Sequence, residues 1–298
     1  MEQKANKVKK ITAFSLIELS IVLIIIGIII AGITQSSLLI SKYRLEIARR
    51  QTEDSPIASI KGVNFWLDTT SEKSFAESEA ENGLVVTNWR DINPQVNEKY
   101  DANSVLTSKP TYVSNCINSL PCLSFDGVDD YIEVENLNIS LTSFTLFMVI
   151  KTTPGESGDW DYIFQTNYAT SVIDDGQISL VITPAGNLQL GVSYSQDGVS
   201  RGGAANFSGL NSPYLMLAQE KTGVNFLVRV NGVNKIDGDD TEENGTKNIT
   251  GAIIGASVEK SENFSGQIGE IIFFDRHLKS EERNEIETYL NKKWGIES

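Results

Sequence analysis

The feature that most constrains this chain is a long uncharged stretch close to its N-terminus. No charged residue occurs from Leu19 to Ser41, and the section from Ile21 to Ile33 is almost wholly aliphatic. A helix rising about 1.5 Å per residue over this stretch reaches roughly 35 Å, which is enough to cross the hydrocarbon core of a bilayer. Four lysines precede the stretch: Lys4, Lys7, Lys9 and Lys10. The positive-inside rule therefore predicts a cytoplasmic N-terminus, with the chain after Lys42 periplasmic or extracellular.

Two simpler explanations of this stretch fit less well. A cleaved secretory signal has a shorter apolar region, and no small-x-small cleavage site follows the run before Lys42. A plain signal anchor leaves Glu18 unexplained, because an ionised carboxylate at the start of an apolar helix is costly and such residues tend to be functional.

The segment around Glu18 resembles a known targeting signal. Its residues from Lys9 to Glu18, KKITAFSLIE, are similar to the type III signal of type IV prepilins and pseudopilins. The resemblance implies that prepilin peptidase cuts between Ala13 and Phe14 and methylates the new Phe14 amine. It also implies that Glu18 meets the Phe14 amine of a neighbouring pilin or pseudopilin subunit, since a buried carboxylate is tolerable when an ammonium pairs with it.

The sequence departs from the family pattern at two points. Ala13 stands where the family usually has Gly, and no proline occurs before Ser55 although many major pilins carry one in this helix. A major pilin, a minor pilin and a pseudopilin all remain open. Good helix formers continue past Lys42, and Ser55-Pro56 is a stop signal, so we expect one helix over 14–54.

The remainder of the chain predicts a mainly β domain. Short apolar runs, such as Phe226–Val230 followed by the hairpin turn Asn231-Gly232, are separated by Gly, Asn, Asp and Pro. No long helix lies between them, which favours an antiparallel sandwich or jelly roll over a parallel sheet. One C-terminal helix is expected, with Ser280 as its N-cap and Gly295 as its cap.

The ordered motifs of this part also resemble a known fold family. They include LSFDGVDDY from Leu123 to Tyr131, and the segment from Phe264 to Glu282 with its Gly-x-Ile-Gly-Glu strand. Together they look like a concanavalin A-like lectin/glucanase jelly roll of the laminin-G type. The resemblance implies binding of carbohydrate or protein. It predicts a division into a leader (1–13), a pilin-like transmembrane helix (14–54), a linker (55–62) and the β-sandwich (63–298).

Composition excludes several functions. The chain of 298 residues has 25 Lys and Arg against 39 Asp and Glu, a net charge of −14, so it is poorly suited to bind nucleic acid. One histidine argues against a Ser-His-Asp triad. Glycoside hydrolysis needs two carboxylates across a cleft, and no such run occurs on a predicted strand. Glu270, isolated among apolar residues, is expected to satisfy donors near a sheet edge. We therefore expect no enzyme.

Two cysteines and several acidic clusters are candidate structural or metal sites. Cys116 and Cys122 are close in sequence, and outside the cytoplasm they are expected to form a disulfide. No metal site or cofactor is predicted outright, because turn chemistry explains the acidic clusters better, but calcium remains open. The calcium candidates are Asp126, Asp129, Asp130, Asp174 and Asp175.

The residues that best suit a ligand lie after a Gly-containing turn. Trp160 and Tyr162 flank Asp161 and follow Asp159, and an exposed aromatic ring beside carboxylates can stack on a sugar. We therefore expect a subunit of a type IV pilus or pseudopilus that displays a laminin-G-like head for adhesion to glycans or surface proteins. A structural pseudopilin of a secretion system is the alternative, and a tethered glycan hydrolase is disfavoured.

Overall fold

The structure, a computed structural model, describes residues 16–296 apart from 106, 154–159, 168–176, 185, 194–199, 207–211, 222–224 and 240–245. The chain divides into two compact units, Met1–Tyr43 and Arg44–Ser298. The second unit holds the β domain together with the end of the first helix.

In the described residues, a helix at each end flanks a series of strands, as the sequence predicts. The helices are α1 (Leu16–Glu53) and α2 (Ser280–Trp294), with a 3₁₀ turn at Pro56–Ala58. The strands are β1 (Val63–Asp68), β2 (Asn88–Trp89), β3 (Ala102–Ser104), β4 (Thr111–Ile117), β5 (Leu120–Asp126), β6 (Ile132–Val134), β7 (Ile139–Leu141), β8 (Ser143–Thr152), β9 (Asp161–Thr166), β10 (Ile178–Ile182), β11 (Asn187–Ser193), β12 (Ser200–Asn206), β13 (Tyr214–Lys221), β14 (Asn225–Val230), β15 (Val233–Asp239), β16 (Lys247–Ile249), β17 (Ala252–Ile254) and β18 (Ser265–Phe274).

Two antiparallel sheets form the domain. The first sheet has the order β15-β14-β13-β8-β18-β5-β4, with β1 also paired to β18. The second sheet has the order β12-β11-β10-β9-β17-β6-β3-β2, and β16 pairs with β7 apart from both. The fold is a jelly roll, which confirms the mainly β, antiparallel prediction.

The main core lies between the two sheets. Phe273 of β18 stacks on Phe65 with ring centroids 5.4 Å apart, and on Phe164 of the second sheet at 6.3 Å. Ile272 and Phe274 alternate with Phe273 and belong to a separate core on the other face of β18. This central strand is therefore apolar on both faces, which explains its unbroken apolar run.

A layer of helix covers the outer face of the first sheet. Residues of α2 such as Leu290 and Trp294 are fully buried there, together with Ala48 from the last turns of α1. Three layers result, namely the helices, the first sheet and the second sheet. Burying one helical stripe and both faces of a sheet in this way supplies the main hydrophobic stabilisation of the domain.

The ends of α2 partly differ from the prediction. Gly295 closes the helix in a left-handed conformation with φ of 61°, as expected. The N-cap is Lys279 and not Ser280, because the Glu282 carboxylate turns back to accept from the Lys279 backbone N–H at 3.0 Å. Arg276 donates two hydrogen bonds to the same carboxylate and holds the pKa of Glu282 low, at about 2.

The first helix runs unbroken from Leu16 to Glu53 and stops just before Ser55-Pro56. Glu18 lies in its first turn and is exposed, whereas Ala13 and Phe14 lie outside the described residues. Within the described part of the chain, no helix has both the length and the apolarity of a membrane span.

Candidate ligand-binding face

The outer face of the second sheet carries a row of residues that crosses all eight of its strands. Each residue is paired directly with the next one across the ladder, so all of them lie on the same face. The row comprises Asn88, Asn103, Glu133, Ile253, Gln165, Ser179, Gly191 and Gly202. Val134 and Phe164, which follow or precede row members along the strands, belong to the core between the sheets. The row therefore faces away from that core.

The connection between β17 and β18 covers the middle of this row. The backbone N–H of Val258 donates to the Gln165 side-chain oxygen at 2.8 Å. Lys260 Nζ lies 2.7 Å from a Glu133 carboxylate oxygen and 4.8 Å from the ring centre of Tyr131. Glu133 and Gln165 are buried beneath this connection and hold it in place, so they are not free to meet a ligand.

The predicted ligand residues divide between the two faces of β9. Trp160, just before the strand, is 37% exposed, and Tyr162 is half-buried two positions later on the same side. Asp161 between them is buried. Burial raises the pKa of the nearby Tyr214 phenol, and the charge of Asp161 adds to this effect. Asp159 lies outside the described residues. Asp161 is thus turned inward, away from the two aromatic rings.

The carboxylates beside the aromatic pair come from elsewhere in the chain. Burial is the largest cause that raises the pKa of the Tyr162 phenol, and the charges of Glu262 and Glu259 raise it further. Both glutamates lie on the β17–β18 connection, about a hundred residues along the chain. No local sequence signal pairs them with Tyr162, because only the fold of this connection over the second sheet brings them together.

We call this surface the Trp160 face and define it as Trp160, Tyr162, Gln189, Glu259 and Glu262. Gln189 joins it because Tyr162 pairs with Val181, which pairs with Gln189. Aromatic rings offer flat apolar area to the C–H side of a sugar ring, while carboxylate and amide oxygens accept hydrogen bonds from its hydroxyl groups. The face therefore combines the groups that a carbohydrate site needs.

The acidic turn after β5 brings together three of the calcium candidates. Asp126, Asp129 and Asp130 place carboxylate oxygens within 4.8 Å of one another. Asp126 Oδ1 accepts from the backbone N–H groups of Val128 and Asp129, as expected for turn chemistry. Burial, followed by the charge of Asp126, raises the pKa of Asp130 to about 6. Asp174 and Asp175 lie outside the described residues.

A buried ionic cluster lies beneath the helical layer on the other side of the sandwich. Lys293 Nζ is 2.8 Å from Asp68 Oδ2 and 2.8 Å from Glu270 Oε2, and all three side chains are fully buried. Glu270 also accepts hydrogen bonds from the indoles of Trp66 and Trp294, each at 2.7 Å. Glu270 meets internal donors as predicted, but on the central strand β18 and not at a sheet edge.

Two clefts lie apart from the Trp160 face. A cleft of about 470 Å³ lies beside the end of α1, where Arg49 pairs with Glu72 at 2.5 Å above the buried Trp66. A second cleft, of about 210 Å³, is lined by acidic groups that include Glu98 and Asp101. Arg49 and Arg50 at the first cleft already pair with Glu72 and Glu46, which favours the Trp160 face as the candidate.

The predicted disulfide is confirmed. Cys116 and Cys122 are bonded, with Cα atoms 5.8 Å apart, at the end of the β4–β5 hairpin. Cys122 is fully buried on the helical side of the first sheet. The bond therefore closes the turn at an edge of that sheet.

No family model and no curated protein match this sequence. Solved structures do resemble it. One, on cell entry of botulinum neurotoxin type C through two ganglioside molecules, has 15% identity and a TM-score of 0.55 over 78% of this chain and 52% of that one. The ligand-binding domain of botulinum neurotoxin serotype D, in complex with N-acetylneuraminic acid, has 14% identity and a TM-score of 0.53 over 78% and 52%.

A sialidase has the same fold in part. The Trypanosoma rangeli enzyme, in complex with a difluoro sialic acid analogue, has 15% identity and a TM-score of 0.51 over 78% of this chain and 33% of that one. The matched region spans about half of each toxin chain and a third of the sialidase. At these identities the likeness establishes a lectin-like jelly roll.

Proposed function

We propose that this chain is a pilin-like, membrane-anchored subunit whose jelly-roll head binds glycans through the Trp160 face. The observation that carries the proposal is the exposed Trp160 beside Tyr162, with Glu259 and Glu262 next to them, on the open side of a lectin-like fold. The toxin structures concern gangliosides and N-acetylneuraminic acid, which supports a carbohydrate ligand.

The ligand class follows from the charge of the face. Glu259 and Glu262 are two like charges beside the aromatic pair, and they repel the carboxylate of a sialic acid. The same oxygens accept hydrogen bonds from neutral hydroxyl groups. The head therefore favours neutral sugars over the sialylated sugars of the toxin structures. A neighbouring surface protein rich in hydroxyl groups meets the same chemistry.

The head binds its ligand without cleaving it. Asp68 and Glu270 share one fully buried ammonium group, that of Lys293, and both carboxylates are inaccessible to a sugar. Release of reducing sugar from a bound neutral oligosaccharide by the purified protein would contradict this part of the proposal.

The N-terminal segment supplies the anchor and the assembly element. Prepilin peptidase cuts after Ala13, the N-terminal amine of Phe14 is methylated, and the apolar helix holds the subunit in the membrane until it joins a filament or pseudopilus. Glu18 pairs with the Phe14 amine of the neighbouring subunit, which gives the buried carboxylate a counter-ion. The head is then periplasmic or extracellular, where the disulfide is stable.

Intrinsic fluorescence offers a direct test with the full-length protein in detergent. The chain has four tryptophans, of which Trp66, Trp89 and Trp294 are buried, so a change in emission on adding ligand reports Trp160. Neutral oligosaccharides and sialyllactose are the probes. We expect saturable quenching by a neutral sugar. Trp160→Ala lacks the reporter, so its affinity is measured by isothermal titration calorimetry. Its binding should be about tenfold weaker, because one stacking contact is lost.

A matched control and a contrary result complete the test. Tyr43→Ala removes an exposed aromatic ring outside the head and should leave the affinity unchanged. Glu259→Gln with Glu262→Gln should raise the affinity for sialyllactose. Equal binding of a neutral sugar by the wild type and Trp160→Ala would overturn the site. Repeating the titration with calcium and with EDTA tests the cluster of Asp126, Asp129 and Asp130.

The anchor is tested separately in the native host. Ala13→Leu and Phe14→Asp should block removal of the leader, as read by N-terminal sequencing. Glu18→Ala should leave processing intact but impair incorporation into filaments. Normal processing of the first two variants would contradict the signal, and wild-type incorporation of the third would contradict the pairing.

A further inference from the structure

The buried cluster of Lys293, Asp68 and Glu270 has a composition that is unusual for a protein interior. One ammonium group meets two carboxylates, and the accessible area of all three side chains is 0%. Charged side chains are almost never fully buried, and the loss of hydration of each ion is only partly recovered by pairing. Burial therefore disfavours the charged state of this cluster as a whole.

We propose that Lys293 and Asp68 form an intramolecular isopeptide bond, with Glu270 as the carrier of the protons. This proposal rests on the cluster alone and is independent of glycan binding and of the anchor. The product is an amide between Nζ of Lys293 on α2 and Cγ of Asp68 at the end of β1.

The geometry places the reacting atoms in contact. Lys293 Nζ lies 2.8 Å from Asp68 Oδ2, which brings the carboxyl carbon close to the roughly 3–3.5 Å of a near-attack arrangement. Both groups are held from several sides. Thr52 Oγ1 donates to Asp68 Oδ2 at 2.8 Å, and Lys293 Nζ lies 5.6 Å from the ring centre of Tyr289 and 5.3 Å from that of Trp294.

The second oxygen of Asp68, Oδ1, already accepts hydrogen bonds from fixed donors. Oδ1 accepts from the Thr70 backbone N–H at 2.8 Å and from Thr70 Oγ1 at 2.8 Å. When nitrogen adds to the carboxyl carbon, negative charge develops on this oxygen. Fixed donors aimed at developing charge are the usual means by which proteins stabilise a tetrahedral intermediate.

Glu270 is placed to move the protons. Its Oε2 accepts a hydrogen bond from Lys293 Nζ at 2.8 Å. Burial raises the pKa of Glu270, so this carboxylate can accept a proton more readily than an exposed glutamate does. The indoles of Trp66 and Trp294 and the Tyr289 hydroxyl fix its position.

The step balances without any co-reactant. Two protons leave the Lys293 ammonium and pass by way of Glu270 to Asp68 Oδ2, which departs as water while the C–N bond forms. Glu270 ends in its starting state, and the nitrogen keeps one hydrogen. The reaction replaces one buried cation and one buried anion by a neutral amide, and the closed aromatic surroundings exclude the water that would reverse it.

Peptide mass spectrometry of the reduced, full-length protein tests the proposal. Trypsin does not cut after an acylated lysine, so the linked product joins residues 62–73 to residues 293–298 and is lighter than their sum by one water. We expect this branched peptide in place of the free peptides 62–73 and 294–298, which trypsin releases when Lys293 is unmodified. Recovery of both free peptides in full from the wild type would overturn the proposal.

Variants assign the roles. Lys293→Arg keeps the positive charge but cannot form the amide, and it should show only free peptides. Glu270→Gln keeps the shape and should abolish or strongly slow the linkage, whereas Lys292→Arg on the exposed side of α2 should leave it complete. Linkage to Glu270 in place of Asp68, or full linkage in Glu270→Gln, would overturn the assigned roles.

Discussion

The two outer faces of the sandwich use charge in opposite ways. On the first sheet, helices cover the face, and Asp68, Glu270 and Lys293 find all their partners inside the protein. On the second sheet, the face stays open beyond the β17–β18 connection, and Glu259 and Glu262 lie beside aromatic rings at the surface. The covered face satisfies its charged groups inside the protein, whereas the Trp160 face places carboxylates at the surface beside aromatic rings.

The largest expected effect on stability comes from removing the cation buried beneath the helical layer. Lys293→Met leaves two carboxylates buried without a cation and should lower the free energy of unfolding by about 3–5 kcal/mol. Urea denaturation measures the loss. Lys292→Met, one residue away, is the control and should have little effect. Adding Glu270→Gln to Lys293→Met should recover part of the stability, because one fewer carboxylate is left unpaired. A loss below about 1 kcal/mol in Lys293→Met alone would contradict a stabilising role of Lys293.

The disulfide at the edge of the same sheet gives a smaller effect. Replacing Cys116 and Cys122 together by alanine should cost about 2 kcal/mol, because the closed loop is short and its entropy in the unfolded chain is small. Reducing the wild type should produce a similar loss in a denaturation experiment. An unchanged midpoint after reduction would show that the bond does not stabilise the fold.

The acidic turn between the two sheets should respond to pH. The pKa of Asp130 rises from 3.8 to about 6 on folding, so the folded protein holds this proton more tightly than the unfolded chain. Stability is therefore lost as the pH rises through about 4 to 6. Asp130→Asn should be more stable than the wild type by up to about 3 kcal/mol above pH 6, from a shift of roughly two pKa units, and equal to it below pH 4.

Two comparisons sharpen the Asp130 measurement. Asp129→Asn removes only a minor cause of the raised pKa and should show a much smaller pH-dependent gain. If the turn binds calcium, adding the ion above pH 6 should stabilise the wild type and remove the advantage of Asp130→Asn. A constant difference between the two proteins at every pH would contradict the raised pKa.

The smallest effect on stability belongs to the open face. Trp160→Ala should change the free energy of unfolding by less than about 0.5 kcal/mol, as for most surface substitutions, while its binding of a neutral sugar weakens by about tenfold. Thermal unfolding and isothermal titration calorimetry together measure the contrast. A large loss of stability would mean that Trp160 packs as part of the core.

The sequence predicts those structural features that depend on residues close together along the chain. Alternating apolar runs mark most strands, the stop at Ser55-Pro56 ends α1, and two close cysteines form their bond. Gly295 caps α2 because glycine tolerates the left-handed conformation there. Each of these features is decided within a few residues.

What the sequence does not reveal depends on distant partners. Lys279 replaces Ser280 as the N-cap because Arg276 and Glu282 pair first. Asp161 is buried because successive side chains of a strand point to opposite faces. It therefore lies on the other face from Trp160 and Tyr162, with which the sequence pattern had grouped it. The cluster of Asp68, Glu270 and Lys293 joins residues about two hundred positions apart, and no pattern along the chain indicates that they meet.

The docking of the last turns of α1 has a mechanical consequence. Thr52 of α1 contacts Asp68 at the end of β1, and β1 pairs with the central strand β18. A pull along α1 therefore enters the head through the middle of the first sheet, where load is shared by many ladder hydrogen bonds in shear. The Trp160 face meets this load path only through the β17–β18 connection, which carries Glu259 and Glu262 and leads directly into β18.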